Sequence, residues 1–140
     1  MGTRLGQVER NRFMNENAKK WVKLLRSGKY RQTIGKLCDL HGVEPSYCCL
    51  GVACELYQQE VGRLSIEIEE GIRCYNGEID ELPSCVSNWL GLKNSAGIMG
   101  AKNLGAKNLI FINDNGATFD EIADLIESEP KGLFVSPIKS

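Results

Sequence analysis

The chain has 140 residues, of which 42% are hydrophobic, 25% charged and 7% aromatic, a composition typical of one ordinary globular domain. This composition excludes collagenous, disordered and disulfide-dependent chains. No apolar run reaches the roughly 20 residues that cross a bilayer, and residues 1–13 lack the apolar core of a secretion signal. We therefore expect a cytoplasmic protein that does not interact with a membrane.

The net charge is only −1, but the charges are distributed unevenly along the chain. Residues 1–36 hold ten basic and two acidic side chains, whereas residues 37–100 hold three basic and ten acidic ones. Such asymmetry suits a site that attracts phosphates or an acidic partner, or head-to-tail assembly into a homo-oligomer. The alternative is that the basic segment lies against the acidic middle of the same chain and neutralises it.

The first predicted element is an amphipathic helix over residues 16–27. Its apolar residues fall on one side of a helical wheel and its lysines on the other. Asn15 or Asn17 is the expected N-cap, and Gly28 is expected to end the helix. Residues 29–45 lack sustained periodicity and are interpreted as an irregular connection.

A buried helix and a β-hairpin are predicted next. Residues 46–60 are apolar nearly all round and predict a mostly buried helix, despite Gly51. Residues 64–74 alternate between apolar and polar side chains, which predicts a hairpin. Asn76 and Gly77 predict a further tight turn.

The last part of the sequence predicts three short helices. One begins at Pro83 and ends at Gly91. Two more, over residues 107–113 and from the capping box at Thr118 to just before Pro130, are expected to form an αα-hairpin. The cluster Asn-Asp-Asn between these two helices is interpreted as turn chemistry rather than as a ligand set.

We interpret the chain as an α+β protein with a single, mainly helical domain over residues 15–129. The domain contains a small antiparallel β-hairpin or sheet and the C-terminal αα-hairpin. A polar segment, residues 1–14, precedes it, and a loosely held tail, residues 130–140, follows it. A direct repeat of Gly-Ala-Lys-Asn-Leu over residues 100–109 has a period of five, too short for a solenoid.

The best candidate for a binding site lies on the first helix and the loop that follows it. Arginine and lysine side chains hold phosphates, and a tyrosine ring stacks on a base. The alternative is a solvated helix face with the tyrosine packed on the core. The candidate ligand-binding residues are Lys19, Lys23, Arg26, Lys29, Tyr30, Arg31 and Gln32.

The six cysteines and the single histidine are the candidate residues for metal binding or nucleophilic catalysis. Six free thiols are expected in a chain with no export signal, and buried structural roles are favoured for them. Cys38, His41, Cys54 and either Cys48 or Cys49 are an alternative zinc set, although adjacent cysteines rarely reach one ion. A serine or cysteine hydrolase would depend wholly on His41, for which an ordinary surface position is expected. Phosphate-loop, dinucleotide and zinc-protease motifs do not occur, so we predict no enzyme, no cofactor and no metal.

Four segments in this order resemble one known family. They are WVKLLRSGKY (residues 21–30), YCCLGVACELY (47–57), LPSCVSNWLG (82–91) and INDNGATFDEIADLI (112–126). The chain resembles a family of small uncharacterised proteins encoded mostly by tailed bacteriophages and prophages, over roughly residues 18–128. The resemblance implies a phage accessory protein in the cytoplasm of the host cell. Such proteins often blunt host defence, by sequestering a nucleotide signal or by binding a host protein.

Residues and resemblance together give one preferred hypothesis and two alternatives. The preferred hypothesis is a non-enzymatic binding module that captures a phosphate-bearing ligand, such as a nucleotide-derived signal, on the basic residues named above. The first alternative is an inhibitor that docks its basic helix or its acidic middle on a host protein. The second is a small hydrolase that uses His41.

Overall fold

Helices and strands are interspersed along the residues that the computed structural model describes, 13–100 and 107–136. The helices described there are α1 (Glu16–Arg26), α2 (Cys49–Glu60), α3 (Ser84–Leu90), α4 (Leu109–Asp114) and α5 (Phe119–Glu127). The strands are β1 (Arg31–Gln32), β2 (Cys38–Asp39), β3 (Ser46–Tyr47), β4 (Ile66–Glu69), β5 (Ile72–Tyr75), β6 (Ile98–Met99) and β7 (Lys107–Asn108). The α+β class is therefore confirmed. With 38% helix and 18% strand, the description as mainly helical is not confirmed.

Five of these strands form a mixed sheet in the order β1-β3-β2-β5-β4. Strand β1 runs parallel to β3, and the other neighbours are antiparallel. The predicted hairpin is confirmed as β4 and β5, joined by Glu70 and Gly71. Both turn residues have positive φ angles, 52° and 79°, as a tight two-residue hairpin turn requires. Strand β4 lies at the edge of the sheet.

Strands β1 and β2 lie in the stretch that was predicted to be irregular, and β3 lies where a helix was predicted to begin. Each is only two residues long, too short to produce a readable alternation. Ser46 and Tyr47 pair with both β1 and β2, so their backbone groups are used in the sheet. The second helix therefore begins at Cys49 rather than at Ser46.

Helix α2 packs against the chain at Gly51. A Cβ atom at this position would lie 1.9 Å from the carbonyl oxygen of Leu37, far inside van der Waals contact. The helix backbone therefore touches the residue that precedes β2, and only glycine leaves room for it. This close approach explains a glycine that is unfavourable in a helix interior.

Helix α1 begins and ends as predicted to within one or two residues. The Asn15 side chain accepts a hydrogen bond from the Ala18 backbone N–H at 2.8 Å, and Gly28 follows the helix with a φ of 77°. The helix packs on α2 and α5. On the α2 side, Trp21 Nε1 donates to the Cys49 carbonyl at 2.9 Å.

The predicted C-terminal αα-hairpin is confirmed as α4 and α5. The capping box at the start of α5 is present, since Thr118 Oγ1 accepts from the Glu121 N–H and the Glu121 carboxylate accepts from the Thr118 N–H. Helix α4 begins at Leu109, two residues later than predicted, because Lys107 and Asn108 pair with β6.

The core extends beyond the domain boundary that the sequence suggested at residue 129. Leu133 and Phe134 are buried, Phe134 bridges Leu92, and the Val135 N–H donates to the Gly91 carbonyl at 2.9 Å. The prediction of a loosely held tail over residues 130–140 is therefore wrong for residues 133–135. The segment 1–12, most of the five-residue repeat and the last four residues lie outside the described part of the chain.

No helix among the described residues is both long enough and apolar enough to span a bilayer.

Candidate functional site

Two of the basic residues predicted to bind a ligand on α1, Arg26 and Lys19, form ion pairs within the protein. Arg26 Nη2 lies 2.8 Å from Asp124 Oδ1 and 2.6 Å from Glu127 Oε1, both on α5. The hydrogen bond to Asp124 is the main cause that raises the pKa of Arg26. Lys19 lies 3.4 Å from Glu16 on its own helix. The predicted guanidinium for a phosphate therefore already holds two carboxylates.

The loop residues of the predicted site point in different directions. Tyr30 packs edge-on against Tyr47, with ring centroids 5.2 Å apart. Gln32 Nε2 donates to the side-chain oxygen of Asn113 at 2.8 Å and to the Ala117 carbonyl at 2.9 Å. Arg31 is exposed, and because successive strand residues face opposite sides, it lies on the other face of the sheet from Gln32.

The predicted residues therefore do not converge on one pocket. Lys23 and Lys29 are exposed and have no ion-pair partner among the residues that the structure describes. Two cavities in the described part of the chain, of about 450 and 230 Å³, are lined by none of the seven predicted residues.

Asn113, which was interpreted as a turn residue, is a buried structural hub with 1% of its surface exposed. Its Oδ1 accepts from Gln32 and from the Cys49 N–H at 3.1 Å, and its Nδ2 donates to the Thr33 carbonyl at 2.8 Å. One side chain thus ties α4 to the β1 region and to the first turn of α2. Its position in an Asn-Asp-Asn cluster gave no sign of this role.

Five of the six thiols predicted to be structural are buried, and the sixth, Cys85, is partly exposed. Desolvation raises the pKa of Cys48 to about 11 and raises the pKa values of Cys49 and Cys54 as well, so these thiols are poor nucleophiles and poor metal ligands. In the described ranges, no group of three or more histidine, cysteine, aspartate or glutamate side chains could hold a metal ion.

His41 is exposed, and its Nδ1 lies 2.7 Å from Asp39 Oδ1. The backbone N–H of His41 also donates to this carboxylate at 2.9 Å, which is the main cause that lowers the pKa of Asp39. Over the described part of the chain, the imidazole makes no hydrogen bond to a hydroxyl or a thiol. Within these residues, the pair therefore has no hydroxyl or thiol nucleophile placed beside it.

A partly buried ionic cluster beneath the hairpin was not predicted. Arg73 Nη1 and the Tyr75 hydroxyl, both from β5, donate to Glu55 Oε2 of α2 at 2.8 and 2.5 Å. Desolvation raises the pKa of Tyr75 and raises that of nearby Tyr47 to about 12. The cluster fixes β5 against α2. Its members are separated by 18 and 20 residues in sequence, so no local pattern indicates that they meet.

Among the residues that the structure describes, no strand pairs with the outer edge of β4. The Asn76 N–H donates to the Ser65 carbonyl at 2.8 Å, which places Ser65, Glu67 and Glu69 at the positions whose backbone groups point towards β5. Because this direction alternates along an antiparallel strand, the N–H and C=O groups of Ile66 and Ile68 point away from the sheet.

The side chains beside this edge are apolar on one face and acidic on the other. Ile66 and Ile68 are 39% and 60% exposed, whereas the alternating residues Glu67 and Glu69 face the opposite side. Glu70 follows in the turn. No ion pair involves these three glutamates within the described residues. An open cavity of about 450 Å³ on the acidic face is lined by Glu69, Glu70, Ile72, Cys74 and Ile79.

A second, smaller cavity of about 230 Å³ lies where the ends of the domain meet. Its lining includes Lys93, Lys131 and Phe134. The one carboxylate in that lining belongs to Glu129, whose Oε2 accepts from the Phe13 and Met14 N–H groups at 3.0 and 2.9 Å. This contact holds the chain before α1 against Glu129, which lies two residues after the end of α5.

Fold and site together define a small α+β protein with an apolar, acid-flanked edge strand. Residues 14–130 match the family model described as "Domain of unknown function (DUF8296)", and the chain belongs to that family. A search of the curated proteins and a search of the solved structures each found no match.

Proposed function

We propose that this is a phage-type accessory protein that binds a host protein in the host cytoplasm, without catalysis, through the surface of its β4–β5 hairpin. The observation that carries the proposal is the outer edge of β4, where Ile66 and Ile68 are exposed beside three glutamates that have no ion-pair partner among the described residues. This is the alternative in which the acidic middle of the chain docks on a partner. Its phage setting is supported by the sequence resemblance alone.

Energetic reasoning supports the hairpin as a docking surface. Covering an exposed isoleucine side chain contributes about 1.5–3 kcal/mol when burial is complete. Carboxylates that have no internal partner keep their full attraction for a basic partner and speed its approach. Both features lie on β4, whose neighbour β5 is fixed to α2 by the contact of Arg73 with Glu55, so little order is lost on binding.

Capture of a phosphate-bearing ligand on α1 has weaker support. Arg26 would have to leave two carboxylates at 2.6 and 2.8 Å, and Gln32 would have to leave Asn113 and Ala117. Each exchange removes a contact that the folded protein already makes, so the gain from a phosphate would be reduced by the loss.

The test compares two double variants against one host partner. The partner is isolated from host cells on the immobilised wild-type protein, identified and then purified, so that its Kd can be measured by calorimetry. Ile66→Thr with Ile68→Thr removes the apolar edge, and Lys23→Glu with Lys29→Glu reverses the free cations. We expect the first variant to weaken binding at least about tenfold, or 1.4 kcal/mol, and the second to change it less than about twofold.

Native mass spectrometry of the purified protein tests the competing ligand hypothesis in the same experiment. We expect the mass of the bare chain or of a simple multiple of it. The proposal is wrong if a small molecule is released on denaturation and is lost in Lys23→Glu with Lys29→Glu. It is equally wrong if that variant loses the partner while Ile66→Thr with Ile68→Thr retains it.

A further inference from the structure

We infer that the partner binds as an added antiparallel strand along β4, and that the bound segment alternates apolar and basic side chains. The inference rests on the proposed function, because it specifies how the hairpin surface recognises a protein. Its basis is the direction of the backbone groups of Ile66 and Ile68 together with the alternation of isoleucine and glutamate along β4.

The backbone supplies the affinity that does not depend on sequence. Ile66 and Ile68 together offer two N–H donors and two C=O acceptors to the open edge, at the spacing of one antiparallel repeat. An extended segment placed alongside satisfies all four groups, as in other cases of strand addition to a sheet edge. The other edge of β4 is already paired with β5 through four residue pairs.

The side chains specify which segment fits. Partner residues directly opposite Ile66 and Ile68 have their side chains on the apolar face, where they cover the exposed isoleucines. The intervening partner residues lie on the face of Glu67 and Glu69, where basic side chains meet unpaired carboxylates. Cross-strand pairs of these two kinds stabilise a sheet.

Charge also decides between a different protein and a second copy of this chain. Pairing β4 with β4 of another copy would place Glu67 and Glu69 of the two strands on one face, and like charges across neighbouring strands are destabilising. Acidic side chains on an edge strand are a common protection against such self-pairing. The occupant that the edge favours is therefore a basic and apolar segment of a different protein.

Synthetic peptides test this recognition without knowledge of the partner. The probe is a capped peptide of alternating lysine and valine, and the matched controls alternate glutamate with valine and lysine with glycine. By NMR titration, we expect the lysine–valine peptide to bind at least about tenfold more tightly than either control. The glutamate peptide reports the charge requirement, and the glycine peptide reports the apolar requirement.

Hydrogen exchange distinguishes strand addition from other kinds of contact. With the lysine–valine peptide bound, the Ile66 and Ile68 amides should exchange at least about tenfold more slowly, because they become hydrogen-bonded. The amides of Glu67 and Glu69, which face β5, should change little. Equal binding of all peptides, no binding, or protection that omits Ile66 and Ile68 would overturn the inference.

Ile68→Pro removes one outward N–H without removing a bond to β5, since proline is tolerated on an edge strand in this orientation. We expect it to abolish binding of the lysine–valine peptide, whereas Ile68→Val should retain it. Retained peptide binding in a folded Ile68→Pro variant contradicts strand addition. If the host partner then still requires the isoleucine pair but tolerates proline, the proposed function stands and only the mode of recognition fails.

Discussion

Helix α1 and the β4–β5 hairpin are both charged, exposed and close to the core, yet the fold treats them differently. On α1, Arg26 holds Asp124 and Glu127, and Lys20 lies 2.8 Å from Glu60. On the hairpin, no glutamate of β4 has an ion-pair partner within the described residues. The difference shows that a run of charge in a sequence does not locate a binding surface. The proposed surface differs from α1 because exposed apolar side chains lie there beside carboxylates that have no ion-pair partner among the described residues.

The same comparison answers the question of internal neutralisation. The basic first helix is indeed paired within the chain, but with α5 and the end of α2 rather than with the acidic hairpin. The acidic middle of the sequence is compensated in part, since Glu60 lies in an ion pair with Lys20 and Glu55 in one with Arg73. The hairpin glutamates Glu67, Glu69 and Glu70 have no ion-pair partner among the described residues. Of the two charged regions, the acidic hairpin therefore has fewer of its charges paired within the described residues.

The largest effect that we expect tests whether Asn113 holds the loop residue Gln32 and the start of α2 in place. Asn113→Ala leaves the buried Cys49 N–H without its acceptor and removes the anchor of Gln32, which costs about 3 kcal/mol of unfolding free energy. Chemical denaturation followed by circular dichroism measures it. Asn115→Ala is the matched control, because the Asn115 side chain is exposed and donates to the Phe111 carbonyl at 2.8 Å, and its loss should cost less than about 1 kcal/mol. Similar costs for the two variants would contradict the role given to Asn113.

A smaller effect tests whether α1 is neutralised by α5. Arg26→Ala should cost about 1 kcal/mol at low ionic strength, at the upper end for exposed ion pairs, because one guanidinium meets two carboxylates. Lys23→Ala is the control from the same last turn of the helix, and its effect should be near zero. At about 1 M salt, where the Debye length is about 3 Å, the difference between the variants should shrink. A difference that does not depend on salt would show that Arg26 acts by packing.

Features with local causes were predicted correctly. The cap at Asn15, the capping box at Thr118, the end of α3 at Gly91 and the tight turn at Asn76 and Gly77 all depend on residues within a few positions of one another. Side-chain alternation over four residues was also enough to identify β4 and β5. In each case the side chain that carries the signal acts on its own neighbourhood in the chain.

Features that depend on distant contacts were not predicted. Strands β1 to β3 form because they pair with one another. Each is two residues long, so its sequence has no alternation pattern that predicts the pairing. Asn113 meets Cys49 across 64 residues. The sequence therefore identified charged segments as candidates, but it did not indicate which charges would be paired in the fold. Arg26 was predicted to bind a phosphate, whereas in the structure it binds Asp124 and Glu127.

The smallest effect on stability is expected where the effect on binding is largest. Ile66→Thr with Ile68→Thr should change the unfolding free energy by less than about 1 kcal/mol, because both side chains are substantially exposed and threonine favours strands. Leu64→Thr is the matched control just before β4. Leu64 is buried, and its loss should cost at least about 2 kcal/mol by analogy with other truncations of buried leucine. If the isoleucine variant costs as much as Leu64→Thr, the two isoleucines belong to the core, and the contrast between a paired helix and a free hairpin no longer holds. If it costs little and the host partner is lost, the hairpin is a surface kept for a partner rather than for the fold.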